Sequence, residues 1–546
     1  MRKNFKKVTA LMMAVAMVGT LAAGCGKKEE TKTETETGSK ETEAEAADPE
    51  NFVFDEEIEI QIPVYDRATE GAAPVDNNYW TQWIQSEFGD KHNVKVTYVS
   101  IPRSDDMNKF NMLLSTGDAP DVIFDYDYPD MVTYSDMGAL QTIDMEMVKA
   151  WAPTFYGNME ENGILDYMAI DGEDTFIAAT RPMAYNFMTL IRQDWLEACG
   201  LEMPSNLEEY EAALKAFKDK GLGGDSTIPM TLSLPVQGYV VNYPYRDYPL
   251  DEKDLALYSD LSVASLSWEP TKNLLSQYNR FYNEGLVSKE FYLDADGSQR
   301  QADFISGKAG TYESYLSKNP DVVGSLIAND PNAKVAVLDP AALVPEGNKV
   351  AGRGYWPFGM IMGFNAESSE DEVKAVLMLL EWMSDSENLF TLQNGIEGVT
   401  YELDANGLPS LIACTTEQRL NYNSNKDMFC LVIEGKDYGS DEKNLAVQKT
   451  TFAPAGHEDL IQQSYDYTKK YEEFLYPDYL FDTNIKSVAA NSATLLDKYK
   501  TAFAELVTCP QDEFESKYAE LSKDYLNAGY QAILDEREAA FEASQK

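Results

Sequence analysis

The chain has 546 residues, 44% of them hydrophobic and 25% charged, so it is long enough for two or more packed domains and too apolar for wholesale disorder. Its 92 Asp+Glu against 45 Lys+Arg give a formal net charge of -47. Such acidity argues against a nucleic-acid binder, whose phosphate contacts need a basic surface, and against docking of the body on anionic lipid.

Arg2, Lys3, Lys6 and Lys7 precede Val8–Ala23, an apolar run that at 16 residues is short for a bilayer-spanning helix. The run ends in Leu21-Ala22-Ala23-Gly24-Cys25. Small residues there suit a signal peptidase cleft, and a cysteine just beyond it can take lipid through its thiol. This arrangement resembles the lipobox of bacterial lipoproteins. It implies a signal peptide over residues 1–24, cleavage before Cys25, and a lipid anchor on Cys25 at the extracellular face of the cytoplasmic membrane. The Glu-, Thr-, Lys- and Ala-rich stretch that follows has almost no apolar residues and reads as a disordered acidic tether within residues 25–54. No second long apolar run follows, so a soluble body is expected.

Cys199, Cys414, Cys430 and Cys509 remain, which allows three complete pairings. Such sparse usage points to free thiols, with Cys414–Cys430 as the alternative local bridge. No CxxC pair suggests zinc or redox chemistry.

The body begins with a strand, since Ile58, Ile60, Ile62 and Val64 alternate. Trp80, Trp83, Ile84 and Phe88 follow at helical spacing, then Val94, Val96 and Tyr98 at strand spacing. Asp105 is placed to cap a helix carrying Met107, Phe110, Leu113 and Leu114, which Gly117-Asp118-Ala119-Pro120 stops. Asp121-Val122-Ile123-Phe124 is a third strand. The β-α-β-α-β order makes a mostly parallel sheet the economical expectation, with ligand beyond the strand ends, where Tyr126 and Asp127 lie. Capping boxes are expected at Ser205 with Glu208 and at Ser369 with Glu372, each before an apolar helix face. The last 50 residues are helical in character, with Tyr499, Phe503, Leu506, Phe514, Tyr518, Leu521 and Tyr525 on apolar faces.

Four stretches stand out in order: Asn111-Met112-Leu113-Leu114-Ser115-Thr116-Gly117-Asp118-Ala119-Pro120-Asp121-Val122, Leu190 to Leu201 with Pro204 and Tyr210, Phe304-Ile305-Ser306-Gly307-Lys308-Ala309-Gly310, and Asn394 to Tyr401. With the lipobox they resemble the long family 1 extracellular solute-binding lipoproteins of Gram-positive ABC importers, often linked to oligosaccharide uptake. The resemblance implies a two-lobed α/β fold of the periplasmic-binding-protein type, with ligand in the interlobe cleft and closure about a hinge. It places lobe one at 55–180 plus 304–360 and lobe two at 181–303 plus 361–546. It also implies a monomer that hands its ligand to ABC permease subunits served by a separate ATPase, with no cofactor, no metal and no catalysis.

A neutral sugar presents apolar C–H faces and a rim of hydroxyls, so its binder needs flat rings beside planar hydrogen-bonding groups. Tyr126 and Asp127 supply both after the third strand. Tyr243 and Arg246 do so in a Pro-interrupted, Tyr-rich loop, as do Tyr312 and Glu313 after Gly310. Tyr355 and Trp356 follow Arg353 near a proposed crossover, and Trp356 is the leading candidate for a stacking platform. Trp268 and Arg67 complete the set. Each also has a packing or turn-forming reading.

Two other functions compete. One is a glycan-hydrolysing enzyme, but among 92 carboxylates a catalytic pair has no specificity, and the chain has only His92 and His457 and no HExxH, GxSxG or GxxxxGK[ST]. The other is a surface glycan-binding protein not coupled to import. Asp294-Ala295-Asp296-Gly297 opens like a calcium loop but lacks the Gly at position six and the Glu at position twelve, so a surface turn is expected.

Overall fold

Strands β1 (Ile58–Asp66) and β2 (Val94–Pro102) run parallel in unbroken register from Ile58 opposite Val94 to Asp66 opposite Pro102. A computed structural model of the chain describes residues 48–68, 71–170, 172–181, 187–235, 251–259, 263–315, 319–345, 350, 352–420 and 426–545. Cys25 and most of the expected tether lie outside them. The alternation of Ile60, Ile62 and Val64 puts these side chains in the core at 1% exposure or less. Helix α1 (Tyr79–Ile84) is capped by Asn78, whose side chain accepts from the Trp80 and Thr81 amides. It widens into a π turn over Gln85–Gly89 that buries Phe88.

Helix α2 (Asp106–Thr116) buries Phe110 and Leu113 and ends at Gly117, whose φ of 75° favours glycine. Asp105 stands at its cap position, yet its carboxylate takes the Asn108 side chain and no helix amide. Strand β3 (Val122–Asp125) is buried throughout and lies beside β1: the Asp121 amide donates to the Gln61 carbonyl, and the Gln61 amide donates to the Asp121 carboxylate at 2.7 Å. Helix α3 (Tyr128–Asp136), helix α4 (Met145–Trp151) and strand β4 (Ile177–Thr180) complete this segment.

The next segment is built on β5 (Phe187–Arg192), with helices α5 (Leu207–Lys220), α6 (Glu269–Asn283) and α7 (Ser298–Ile305) preceding β6 (Thr311–Tyr315) and β7 (Val335–Val337). β5 is the central strand, antiparallel to both β6 and β7. The cap of α5 is Asn206, one residue beyond the expected Ser205: Asn206 accepts from the Glu209 amide, while Ser205 bonds the Glu209 carboxylate.

The chain then crosses through β8 (Gly352–Arg353) to β9 (Phe358–Phe364) and helix α8 (Glu370–Ser384). The expected Ser369–Glu372 capping box is formed, and Val373, Val376, Leu377 and Leu380 are buried beyond it. β9 lies between β3 and β4 and is antiparallel to both. The expected parallel order therefore holds for β1 and β2, while β9 is a strand inserted from later in the chain. Strand β10 (Leu475–Tyr476) pairs in parallel with β8. Helices α9 (Lys486–Thr508), α10 (Phe514–Tyr525) and α11 (Gln531–Ser544) end the chain and bury Tyr499, Phe503, Leu506, Phe514, Tyr518 and Tyr525.

The hydrophobic cores correct the expected division of the chain. One core unites Ile60, Phe124, Ile177, Met360, Leu377 and Leu431. A second set unites Leu190 with Tyr312, Val335 and Leu460, and Ile191 with Phe217, Phe281 and Ala336. A third joins Leu275 to Phe503 and Tyr525. Residues 304–343 thus pack with β5, because β6 completes the β5 ladder. Residues 358–433 pack with β1–β3, because β9 fills the gap between β3 and β4. The expectation had these two segments exchanged.

Candidate functional site

The ends of β1, β2 and β3 converge, and each chain continues into polar residues at the start of a helix or loop. Tyr65, in the last turn of β1's register, is fully buried, and its ring stacks 6.1 Å from Tyr126 at an interplanar angle of 20°. The Arg103 guanidinium, one residue past β2, lies 4.8 Å from the Tyr65 ring centroid and 5.7 Å from that of Tyr126. Arg67 lies 5.9 Å from the Tyr65 ring. Arg103 also pairs with Asp106 at 2.6 Å, in the first turn of α2. Asp127 stands at the cap of α3 and Asp130 in its first turn, where a helix N-terminus favours negative charge.

Asp125 is 2% exposed, and its Oδ1 accepts the Asp127 amide at 3.0 Å. Burial, then the charges of Asp106 and Asp127, push its carboxyl up to about 7. Burial, then the charges of Asp127, Asp125 and Asp106, push Asp130 up to about 9. Burial likewise raises the Tyr65 and Tyr134 hydroxyls, and Asp125 is the carboxylate that acts most strongly on both. Asp125 Oδ2 and these two hydroxyls have no hydrogen-bond partner among the described residues.

A second group of rings surrounds the crossing strand. The half-buried Trp356 lies 4.6 Å from Tyr167 and parallel to Phe358 at 6.3 Å, and its Nε1 donates to the Asp478 carbonyl at 2.9 Å. Tyr355 lies under the Arg181 guanidinium at 4.6 Å, and Arg181 pairs with Glu434 at 2.5 Å. The segment after β10 connects this group to its surroundings. The Asp478 carboxylate accepts the Ser259 hydroxyl at 2.6 Å, Asp482 acts on the buried Tyr128 hydroxyl of α3, and Lys486 pairs with Asp136 at 3.3 Å.

Of the residues singled out in the sequence, Arg67, Tyr126 and Asp127 come together at the strand ends, and Tyr355 and Trp356 sit side by side at the crossing. Trp268 is 4% exposed and stacks on Tyr258 at 5.2 Å and 9°, with Leu255 and Tyr476 packed around it, so its ring is a packing group. Tyr312 is 3% exposed and stacks on Phe304 within the β5–β6 core, so it too is a packing group. Glu313 is half-buried and, as the next residue along β6, faces the opposite side of the sheet. Tyr243 and Arg246 lie outside the described residues. The sequence reading missed Tyr65, Arg103, Asp106, Asp125 and Asp130. All five lie at or near the end of a strand, in the crevice where ligands of such sheets bind.

The Asp294 carboxylate accepts the Gln299 and Arg300 amides and that of Asp296 accepts the Ser298 amide, all at the start of α7. Cys199, Cys414, Cys430 and Cys509 are free thiols, the last two buried. Among the described residues no helix is long and apolar enough to cross a membrane.

A family model described as bacterial extracellular solute-binding protein matches residues 83–398. Lipoprotein LipO of Bacillus subtilis is 25% identical over 328 residues, 57% of this chain and 62% of LipO. The polygalacturonan/rhamnogalacturonan-binding protein YtcQ of the same organism is 22% identical over 322 residues, 57% of this chain and 61% of YtcQ. The chain thus spans somewhat less than two thirds of the length of these curated relatives. Among solved structures, an extracellular solute-binding protein from Bifidobacterium longum subsp. infantis superposes with a TM-score of 0.61 at 16% identity, over 89% of this chain and 99% of that one. The S. pneumoniae ABC-transporter substrate-binding protein FusA, in complex with kestose, gives 0.59 at 16%, with the same coverage. Alginate-binding protein AlgQ2 gives 0.60 at 15%, over 90% of this chain and 99% of that one. The fold is the two-lobed α/β architecture of solute-binding proteins. With the family model spanning more than half of it, the chain belongs to the bacterial extracellular solute-binding proteins and is a binding protein, not an enzyme.

Proposed function

We propose that this protein captures an oligosaccharide outside the cell, held to the cytoplasmic membrane by lipid on Cys25, and delivers it to an ABC permease driven by a separate ATPase. One lobe comprises 54–180 and 358–433, the other 187–345 and 440–545, and ligand binds between them. The observation that carries this reading is the strand-end cluster: the stacked Tyr65 and Tyr126 rings beside Arg103, Asp125 and Asp127. Flat rings suit the apolar faces of a sugar, and carboxylates accept its hydroxyls. Trp356, fixed through its Nε1, is a second platform. FusA, with the same fold, was crystallised with kestose, and YtcQ is named for binding polysaccharide, which supports a saccharide ligand here.

Thermal shifts of the purified mature protein with a panel of oligosaccharides test this, because a ligand that binds only the folded form raises stability by mass action. At least one oligosaccharide should raise the melting temperature in a saturable way and be recovered intact by mass spectrometry. A panel with no shift, or with protein-dependent cleavage of the bound sugar, would count against it.

A further inference from the structure

Around the strand ends, carboxylates outnumber guanidinium groups. α2 contributes Asp106, β3 Asp125, the cap of α3 Asp127 and its first turn Asp130; opposing them are Arg67 after β1 and Arg103 after β2. Arg103 is already engaged by Asp106 at 2.6 Å. A second observation marks the same spot as a place of binding. Asp125 Oδ2, the Tyr65 hydroxyl and the Tyr134 hydroxyl are buried and lack hydrogen-bond partners among the described residues.

We propose that these four carboxylates, with Asp125 and Asp130 foremost, act as a charge filter that admits uncharged oligosaccharides and rejects those built of uronates. The proposal rests on the reading that the strand ends face the sugar. A hydroxyl can donate to a carboxylate and accept from a tyrosine or a protonated carboxyl, so a neutral sugar meets a partner in either state of the cluster. A uronate brings another negative charge into a partly desolvated site, where like charges repel strongly. Asp125 and Asp130, pushed up to about 7 and about 9 by burial and by their neighbours' charges, already resist full ionisation. YtcQ and AlgQ2 are named for acidic polysaccharides, so relatives and structural neighbours include binders of anionic chains, and the charge at this edge would set the present chain apart.

Matched pairs test the filter: neutral oligosaccharides and the same chains oxidised at C6 to uronates, together with oligouronides and their carboxyl-reduced forms, titrated calorimetrically into the mature protein at pH 7.5 and low salt. In every pair that binds, the neutral member should bind at least tenfold more tightly. Asp125→Asn and Asp130→Asn, checked for folding by circular dichroism, should narrow that preference at least threefold. If a variant does not fold, the wild-type protein supplies the same readout. The preference should shrink from pH 8.5 to pH 5.0, because the raised carboxyls take up protons while the uronate, with an ordinary carboxyl, stays largely ionised. A uronate that binds as tightly as its neutral partner overturns the filter alone. Absence of binding by every saccharide, neutral or charged, overturns the sugar reading beneath it.

Discussion

The indole of Trp356 and the backbone of Asp478 are joined by an Nε1–H···O bond of 2.9 Å, while the Asp478 carboxylate holds the Ser259 hydroxyl at 2.6 Å. A residue of the crossing strand is thereby tied to the segment after β10, and through it to the lobe that contains Ser259. The ring is held in place before any ligand arrives, and binding then costs less side-chain entropy.

Trp356→Ala should weaken oligosaccharide binding by about 2 kcal/mol, near thirtyfold, the scale of a central anchoring residue. Trp356→Phe keeps a ring but loses the bond to Asp478, so its loss should be intermediate. Calorimetry on folded variants reads both, and unchanged affinity in Trp356→Ala would remove this ring from the site.

Tyr312 and Trp268 should behave as core residues. Tyr312→Ala should cost about 3–5 kcal/mol of stability in urea denaturation, the range for removing a buried aromatic side chain. Tyr312→Phe should leave the affinity within about twofold, since the ring packing on Phe304 is kept. A large affinity loss in a stable Tyr312→Phe protein would contradict the packing assignment.

The strand-end carboxylates give stability a pH dependence of definite sign. Asp125 and Asp130 have folded-state values raised to about 7 and about 9, above the ordinary carboxyl range near 4. Between these limits the folded state binds more protons than the unfolded chain. Their contribution is therefore fully present below about pH 4 and is lost as pH rises through the folded values. Asp125→Asn, which can still accept the Asp127 amide, should gain stability relative to wild type between pH 5 and pH 9, with a slope of at most about 1.4 kcal/mol per pH unit. A difference that is flat with pH would mean that Asp125 is ionised like an exposed carboxylate.

The sequence made the local elements readable where one periodicity dominated: the alternating isoleucines of β1, the Phe110–Leu113 face of α2 and the Ser369–Glu372 cap were all visible. It did not reveal which distant segment fills the gap between β3 and β4, because β9 reads as a buried apolar strand wherever it is placed. That single insertion determines which lobe receives residues 304–343 and 358–433. Within the site, Tyr126 and Asp127 were legible because they directly follow a short strand. Arg103 and Asp106 were not, since their role depends on β2 ending beside β1 and β3. Tyr312 and Trp268 misled for the reverse reason: aromatic residues near polar ones look alike whether a ligand or Phe304 and Tyr258 cover them.

Lys374 is held between two rings, its Nζ 3.5 Å from the Phe52 centroid and 3.7 Å from that of Trp151. This contact fastens the first described residues to α8 and α4. Lys374→Ala should lower stability by about 1–2 kcal/mol, combining a partly desolvated cation–π contact with lost stem packing. It should also speed proteolysis near residues 48–57. Lys374→Met, which keeps the stem, should recover part of the stability, and equal proteolysis rates in all three proteins would argue against this fastening.

Cys25→Ala should release the protein from the membrane fraction, with loss of the lipid mass from its N-terminus. Persistent N-terminal anchoring in that variant would contradict lipidation at Cys25.

The central claim, an oligosaccharide held between the lobes, is tested most directly by a crystal structure of the mature protein with a saccharide identified by thermal shift. The account predicts sugar rings against Trp356 and the Tyr65–Tyr126 edge, with hydroxyls donating to Asp125 or Asp127. A cleft occupied only by a peptide or a metal ion, or a saccharide bound away from both aromatic groups, would contradict it.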